Sequence, residues 1–584
     1  MKQKLIFLCG MMLATTASAQ ESVPPAQALA SLFKSYAADT APYFPFAASD
    51  NGMRKYDSIF ANDLSEEYRA GLKSLCGNYL GQLRQIERPA LSRQDQLSHD
   101  IFAYRLKSCL TNFDYPWHLM PVNQVGSSWP ASFPVIGSGK GAHPFKTVRN
   151  YEDFLHRIDG FVVWVDSAIV NMRSGAARGV TLPRDAMLKV VPQLDAHIVD
   201  DPAKSLFHEP ITRFPAEFDD ETRKALTAKY LVAIESKIVP AYRRLRSFIQ
   251  DEYLPKCRST VGLQDLPGGR DMYRQAVRDA TTTDLAPEEI YQLGLAEVQR
   301  ISAELATLDA EIEAAKEPGL PKYRDAESLL GAYRALRSTV EAALPKFFSR
   351  LPKADFEIRA IEAYRESSMP SSYIFPSNDG ARPGVFYLNA ASLKTSGEAV
   401  VSRSLFLHEA IPGHHMQIAL QKENRQLPLF RRSLWYSASG EGWALYAEGL
   451  GVEMGLYQAP RDKREYLINE LFRAARLVVD VGLHDKSWTR SQAIEYMQKS
   501  GRQSEANAER EVERYMAWPG QALSYKIGQL KISALRKKAE KALGAAFDIR
   551  AFHDEVLRDG AMPLSILEDK MDRWLMEQVS KQGR

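Results

Sequence analysis

The stretch Leu405-Phe406-Leu407-His408-Glu409-Ala410-Ile411-Pro412-Gly413-His414-His415-Met416-Gln417 decides how the chain is read. It holds three histidines and a glutamate within eight residues, in a chain with 11 histidines. Its apolar opening reads as a buried helix. In the H-E-x-x-H pattern, two histidines four apart share a helical face and hold a metal, and the intervening Glu activates water. Here a proline occupies the place of the second histidine. Removing Pro412-Gly413 restores H-E-A-I-H. Proline breaks helix interiors and glycine tolerates unusual backbone angles, so this pair predicts a local bulge that returns His414 to His408. His415 is the rival. At i+7 it shares the face of a regular helix but lies about 10 Å along the axis. A single packed histidine would be unremarkable, but this concentration points to a metal site.

A catalytic zinc takes a third protein ligand and leaves a position for water. Gly440-Glu441-Gly442-Trp443-Ala444-Leu445-Tyr446-Ala447-Glu448-Gly449 supplies the candidate. Glu441 and Glu448 lie seven apart on one face of an otherwise apolar helix, and buried carboxylates need a partner. Glu441 follows Glu409 by 32 residues, a reasonable length for a return helix. Glu448 reads either as support for a ligand or as a plain ion pair.

Two later stretches could complete the pocket. Arg476, Asp480 and His484 form one polar stripe along RLVVDVGLHD. They read either as a buried ion network or, for His484, as an orienting or substrate-contacting group. In RYMAWPGQALSYKIG, Tyr525 is the candidate donor to an oxyanion, and Tyr515 reads equally as core. Lys526, or Arg382 in the β-prone region, could receive a substrate carboxylate. The strand at Phe386-Tyr387-Leu388-Asn389 could pair with an extended peptide through its edge.

Outward from these stretches the chain reads as mainly α. Residues 20–45 are Ala/Pro-rich and expected to be a loosely held lead-in. Helical spacing runs from about 56 to 112, and 113–148 is expected to be a long loop region. Helices resume near 150, with Pro183 opening another, and long helices are expected at 221–253, 286–316 and 322–350. Between 356 and 392, FEIRAIEAY, SSYIFPS and GVFYLNA predict one small sheet. Helices follow at 399–422, 438–454, 461–480, 488–500, 503–517, 521–542 and 564–579. The expectation is one large helical domain over 20–584, with an N-terminal lobe to about 350 and a catalytic lobe from about 351.

The N-terminus MKQKLIFLCGMMLATTASAQ reads as an export signal over residues 1–19. It has a basic start, a short apolar run, and Ala17-Ser18-Ala19 before the cleavage point after Ala19. A lipoprotein signal using Cys9 is the alternative, but Phe7-Leu8 lacks the small residue expected before it. The protein is therefore expected in the periplasm or secreted. No later stretch is long and apolar enough to span a membrane. The chain's formal charge is +3. Removing Lys2 and Lys4 leaves 73 basic against 72 acidic side chains, or +1, which gives no reason to expect nucleic acid as a partner. Of Cys76, Cys109 and Cys257, the first two lie in adjacent helical segments and are the expected disulfide.

The GEGWALYAE run resembles the N-E-G-F-A-x-x-x-x-E segment of gluzincin-type zinc aminopeptidases. That resemblance implies Glu441 as the third metal ligand and Glu448 as the group orienting a histidine. HEAIPGHHMQ, GEGWALYAEGLG, DGARPGVFYLN, DVGLH and WPGQALSYKIG together resemble the bacterial domain of unknown function 885 family, and MPVNQVG and LPRD fit its N-terminal half. The family is grouped with zincin-like metallopeptidases. The resemblance implies a helical zincin-like fold with a deep channel and one Zn2+ per chain, held by His408, His414 and Glu441, with Glu409 as general base and His415 near ligand or substrate. The expected activity is hydrolysis of short peptides, as an oligopeptidase or carboxypeptidase. A zinc hydrolase of another amide or ester uses the same residues. A non-catalytic metal- or peptide-binding protein has no need of Glu409.

Overall fold

A computed structural model describes residues 23–126, 128–141, 143–361, 370–376 and 383–582. The expected leader at 1–19, Cys9, Arg382 and the Asn378-Asp379-Gly380 turn lie outside these residues. The fold is mainly α, with two small sheets. No described helix is long and apolar enough to cross a membrane.

The helices begin where the sequence supplies caps. Ser65, Ser92 and Thr147 accept the backbone N–H of Tyr68, Asp95 and Asn150, satisfying donors that the first turn leaves unpaired. The segment expected as a loose lead-in is instead a helix, Pro25–Thr40. It docks through buried Leu29, Leu32, Phe33 and Tyr36, and Phe33 reaches Phe430 at 4.8 Å between rings. Proline at its start sets the first helical φ, so the Pro-rich composition opens a helix here. The expected loop over 113–148 also contains helix, Trp129–Val135, whose Phe133 is fully buried among Phe60, Phe154 and Phe161. Cys76 and Cys109 are disulfide-bonded across adjacent helices, and Cys257 is free.

The expected sheet near 356–392 is present. β2 (Phe356–Ala360) runs parallel to β4 (Gly384–Leu388), and β3 (Ser372–Ile374) runs antiparallel to β4 on its other side. Residues 322–323 (β1) and 399–400 (β5) form a separate two-stranded pair. The edge-pairing expected for Phe386-Tyr387-Leu388 is therefore corrected. β4 is the middle strand, and both of its hydrogen-bonding edges are taken.

The largest core runs from Phe60 to Leu575 and continues past residue 350. The helix Pro460–Asp485, buried over most of its length, joins this core through Leu477 and Val481 and two smaller clusters through its other faces. The helices Ser437–Glu453 and Ser524–Leu543 cross almost backbone to backbone. A Cβ on Gly442 would stand 2.4 Å from the Gly528 Cα, and one on Gly528 2.0 Å from the Ala438 carbonyl oxygen. Only glycine at both positions permits this approach, and it sets Tyr525 beside Glu441.

Candidate metal centre

The expected single helix over 399–422 is broken in two. Arg403–Glu409 ends at the histidine-glutamate pair, and His414–Glu423 begins at the second histidine. Between them the chain folds back over the first helix's end. A Cβ on Gly413 would meet the His408 carbonyl oxygen at 2.0 Å and that of Leu407 at 2.3 Å, so the fold-back requires glycine. Trp443, from the second motif, holds the break by donating its indole N–H to the Pro412 carbonyl at 2.8 Å. The two imidazoles then meet edge to face, 4.8 Å between centroids.

His408, His414 and Glu441 converge, with one ligand atom from each lying within 4.8 Å of the others. Glu441 Oε2 is 3.4 Å from the Nε2 of both histidines. That separation is long for a charge-assisted hydrogen bond, and among the described residues the buried Glu441 Oε2 has no hydrogen-bond partner. A tetrahedron with metal–ligand bonds of about 2.0–2.1 Å has edges of about 3.3–3.4 Å. The two edges from the carboxylate oxygen to the imidazole nitrogens have this length, and two imidazoles and one carboxylate are the donor set of a tetrahedral zinc with one position left for water.

The surroundings sort the remaining candidates. Glu448 is fully buried, and its Oε1 accepts from His408 Nδ1 at 2.9 Å, which leaves the Nε2 lone pair facing the cluster. Arg473, which the sequence reading passed over, stands 3.6 Å behind Glu448. It lies three residues before Arg476 on the same buried helix, and a cation on that apolar face was the available signal. Glu409 is buried beside the cluster. Burial raises its carboxyl, partly offset by the nearby His408 and His414. Burial pushes Glu441 up too, but His414 and His408 reverse this and hold it well below the carboxylate range. For His408, burial is outweighed by Glu441 and Glu448, which lift it to about 9. The Tyr525 ring stacks near-parallel to His408, 6.3 Å between centroids, and the Arg476 guanidinium carbon lies 4.5 Å from the centroid of the Tyr525 ring. Burial, followed by the Glu441 charge, raises its phenol.

His415 faces away from the cluster. Its Nδ1 meets the Tyr373 hydroxyl at 2.7 Å, and its Nε2 meets the Ala354 carbonyl at 3.0 Å. With both nitrogens engaged and burial lowering it to about 4, it is a neutral tie between the break and the sheet. Two expected substrate contacts are corrected. Lys526 is fully buried and paired with Glu470 at 2.6 Å and Glu297 at 2.8 Å, so its charge is consumed internally. His484 is fully buried between the Leu263 N–H at 3.1 Å and the Tyr515 carbonyl at 3.0 Å. Its stripe is a structural network: Asp480 accepts from Tyr273 and Gly520, and Arg476 binds Glu511 and Tyr515.

The fold and cluster define a mainly α protein with a buried His-His-Glu centre. Residues 45–571 match the family described as bacterial protein of unknown function (DUF885), and the chain belongs to that family. Among solved structures it resembles one described as a putative lipoprotein from Colwellia psychrerythraea. The TM-score is 0.87 at 27% identity, over 95% of this chain and 100% of that one. A putative lipoprotein of unknown function from Shewanella oneidensis shares the fold, with TM-score 0.72, 18% identity and coverage of 93% and 99%. A comparison with curated proteins finds no match.

Proposed function

We propose that the protein is an exported zinc-dependent hydrolase of short peptides. One observation carries this reading: Glu441 Oε2, buried and without a hydrogen-bond partner among the described residues, lies 3.4 Å from two histidine Nε2 atoms. Export is supported by the two relatives described as putative lipoproteins. His408, His414 and Glu441 would hold the ion. When bound, zinc supplies a Lewis acid that polarises a carbonyl and makes a water acidic. Glu409 takes the proton of the attacking water at its carboxylate and returns it to the leaving nitrogen. Glu448 fixes the His408 tautomer by accepting from Nδ1–H. The Tyr525 hydroxyl donates to the developing oxyanion.

Glu409→Gln separates binding from chemistry. Zinc content measured by atomic absorption is expected to stay at one per chain, while hydrolysis falls by about 10²–10⁴-fold. A wild-type preparation fully loaded with zinc that cleaves nothing in a broad peptide library would overturn the reading.

A further inference from the structure

A cavity of about 380 Å³ lies beside the start of the helix that carries Glu441 and beside the turn that leads into the helix of Tyr525. Its wall includes Ser437, one turn before Glu441, and Gln521, one turn before Tyr525. Trp117, Met120, Leu182, Leu263, Met516 and Trp518 make much of the remainder apolar. Into this wall is set one guanidinium, Arg258. Its Nε donates to the Thr181 carbonyl at 2.9 Å, and its Nη1 donates to those of Thr260 and Gly262 at 2.8 and 2.6 Å. These anchors fix the side chain but are neutral, and Asp265 supports its charge only through space. Among the described residues no carboxylate lies within 4.0 Å of it, and Nη2 is its one guanidinium nitrogen with no hydrogen bond. Asp279, the acid on the same wall, is engaged elsewhere, accepting from Ser108 at 3.0 Å and Gln275 at 2.9 Å. A positioned, half-buried cation facing an apolar cavity is a receptor for an anion. One positive charge matches one carboxylate. A phosphate dianion would leave an uncompensated charge beside Asp279.

We propose that Arg258 receives the free C-terminal carboxylate of the molecule that enters this cavity, an acylated amino acid or short peptide ending in an apolar side chain. The assignment rests on the hydrolase reading of the adjacent centre, and makes it selective for substrates cleaved near a free C-terminus. Lys526, one of the residues expected from the sequence to take this role, is internally paired.

The probes are N-acetylphenylalanine and its C-terminal amide, titrated calorimetrically into the full chain, both zinc-loaded and zinc-stripped. The acid is expected to bind about 10- to 100-fold tighter than the amide, the worth of one charged hydrogen-bonded pair. Arg258→Gln is expected to bring the two within about twofold, and Arg258→Lys to keep part of the preference. Ala280→Phe, which fills the cavity and leaves the Arg258 anchors intact, is expected to abolish binding of both. Inorganic phosphate is expected not to compete. Equal binding of acid and amide, no measurable binding of the acid, competition by phosphate, or a preference that survives Arg258→Gln overturns the assignment. Acid selectivity without any hydrolysis by the zinc-loaded protein refutes the peptidase reading alone.

Discussion

The hydrogen bond from His408 to Glu448 offers the sharpest test of the centre. Glu448 is fully buried, 2.9 Å from His408 Nδ1, with Arg473 3.6 Å from the same oxygen. In Glu448→Gln the amide oxygen can still accept from Nδ1–H, so the ring keeps its orientation, but the charge that makes Nε2 a stronger donor is lost. Partners of this kind are worth about 10–100-fold in metal affinity, or about 1.4–2.7 kcal/mol. Both variants leave Arg473, a largely buried cation, without the carboxylate it faces, and Glu448→Ala removes the accepting oxygen as well. Breaking a buried pair costs about 3–5 kcal/mol in folding stability. Arg473 remains slightly open to solvent and the contact is longer than a hydrogen bond, so the lower end applies. Both variants should therefore lose stability, and they separate at the ring: Gln keeps an acceptor for Nδ1–H and weakens zinc moderately, while Ala loses that acceptor and more of both. Zinc affinity is read by competition with a chromophoric chelator at fixed pH, and stability by urea unfolding of the zinc-free proteins. A zinc dissociation constant in Glu448→Gln within about threefold of wild type would show that Glu448 does not tune His408.

Three further outcomes follow from the same geometry. His414→Ala is expected to lose zinc. His415→Ala is expected to retain it while losing about 2–4 kcal/mol from two severed hydrogen bonds and a cavity, and zinc stoichiometry of the two variants decides the ligand. Gly413→Ala forces a methyl into the His408 carbonyl and should cost at least about 2 kcal/mol and the metal site together, whereas unchanged zinc content would refute the fold-back as the cause of convergence. Asp480 is raised to about 7 by burial, against which Tyr273 and Gly520 act only partly. Because the folded state binds this proton more tightly, the stability it contributes is full below about pH 4 and is lost as pH rises through about 7, of order 4 kcal/mol in all. Urea midpoints from pH 5 to 8 should fall more steeply in wild type than in Asp480→Asn, and parallel slopes would contradict the assignment.

How much of this was legible in the sequence depends on how local its cause is. The break at Pro412-Gly413 was readable because both residues act on their own backbone. Glu441 and Glu448 were readable because carboxylates on an apolar helix must be satisfied. The choice between His414 and His415 was not, since it is made by Tyr373 and Ala354, which reach His415 from the sheet. Lys526 and His484 misled for the related reason that a polar group on a buried helix looks the same whether it meets substrate or another helix. The partners that decide, Glu297, Glu470 and Leu263, are distant in sequence. Arg258 had no signal at all: its meaning lies in carbonyl anchors and in having no carboxylate within 4.0 Å among the described residues.

The charges around the centre argue for a divalent cation independently of its spacing. Glu409, Glu441 and Glu448 bring three negative charges into a buried cluster, and Arg473 returns one. With His408 and His414 neutral the sum is −2, a charge that would be costly to keep away from water. A divalent ion brings the sum to zero with both imidazoles in the neutral form that ligation requires. The same arithmetic explains why Glu448 and Arg473 sit together behind His408. A carboxylate there strengthens the ligand, and the guanidinium prevents that carboxylate from adding a third unit of negative charge to be offset.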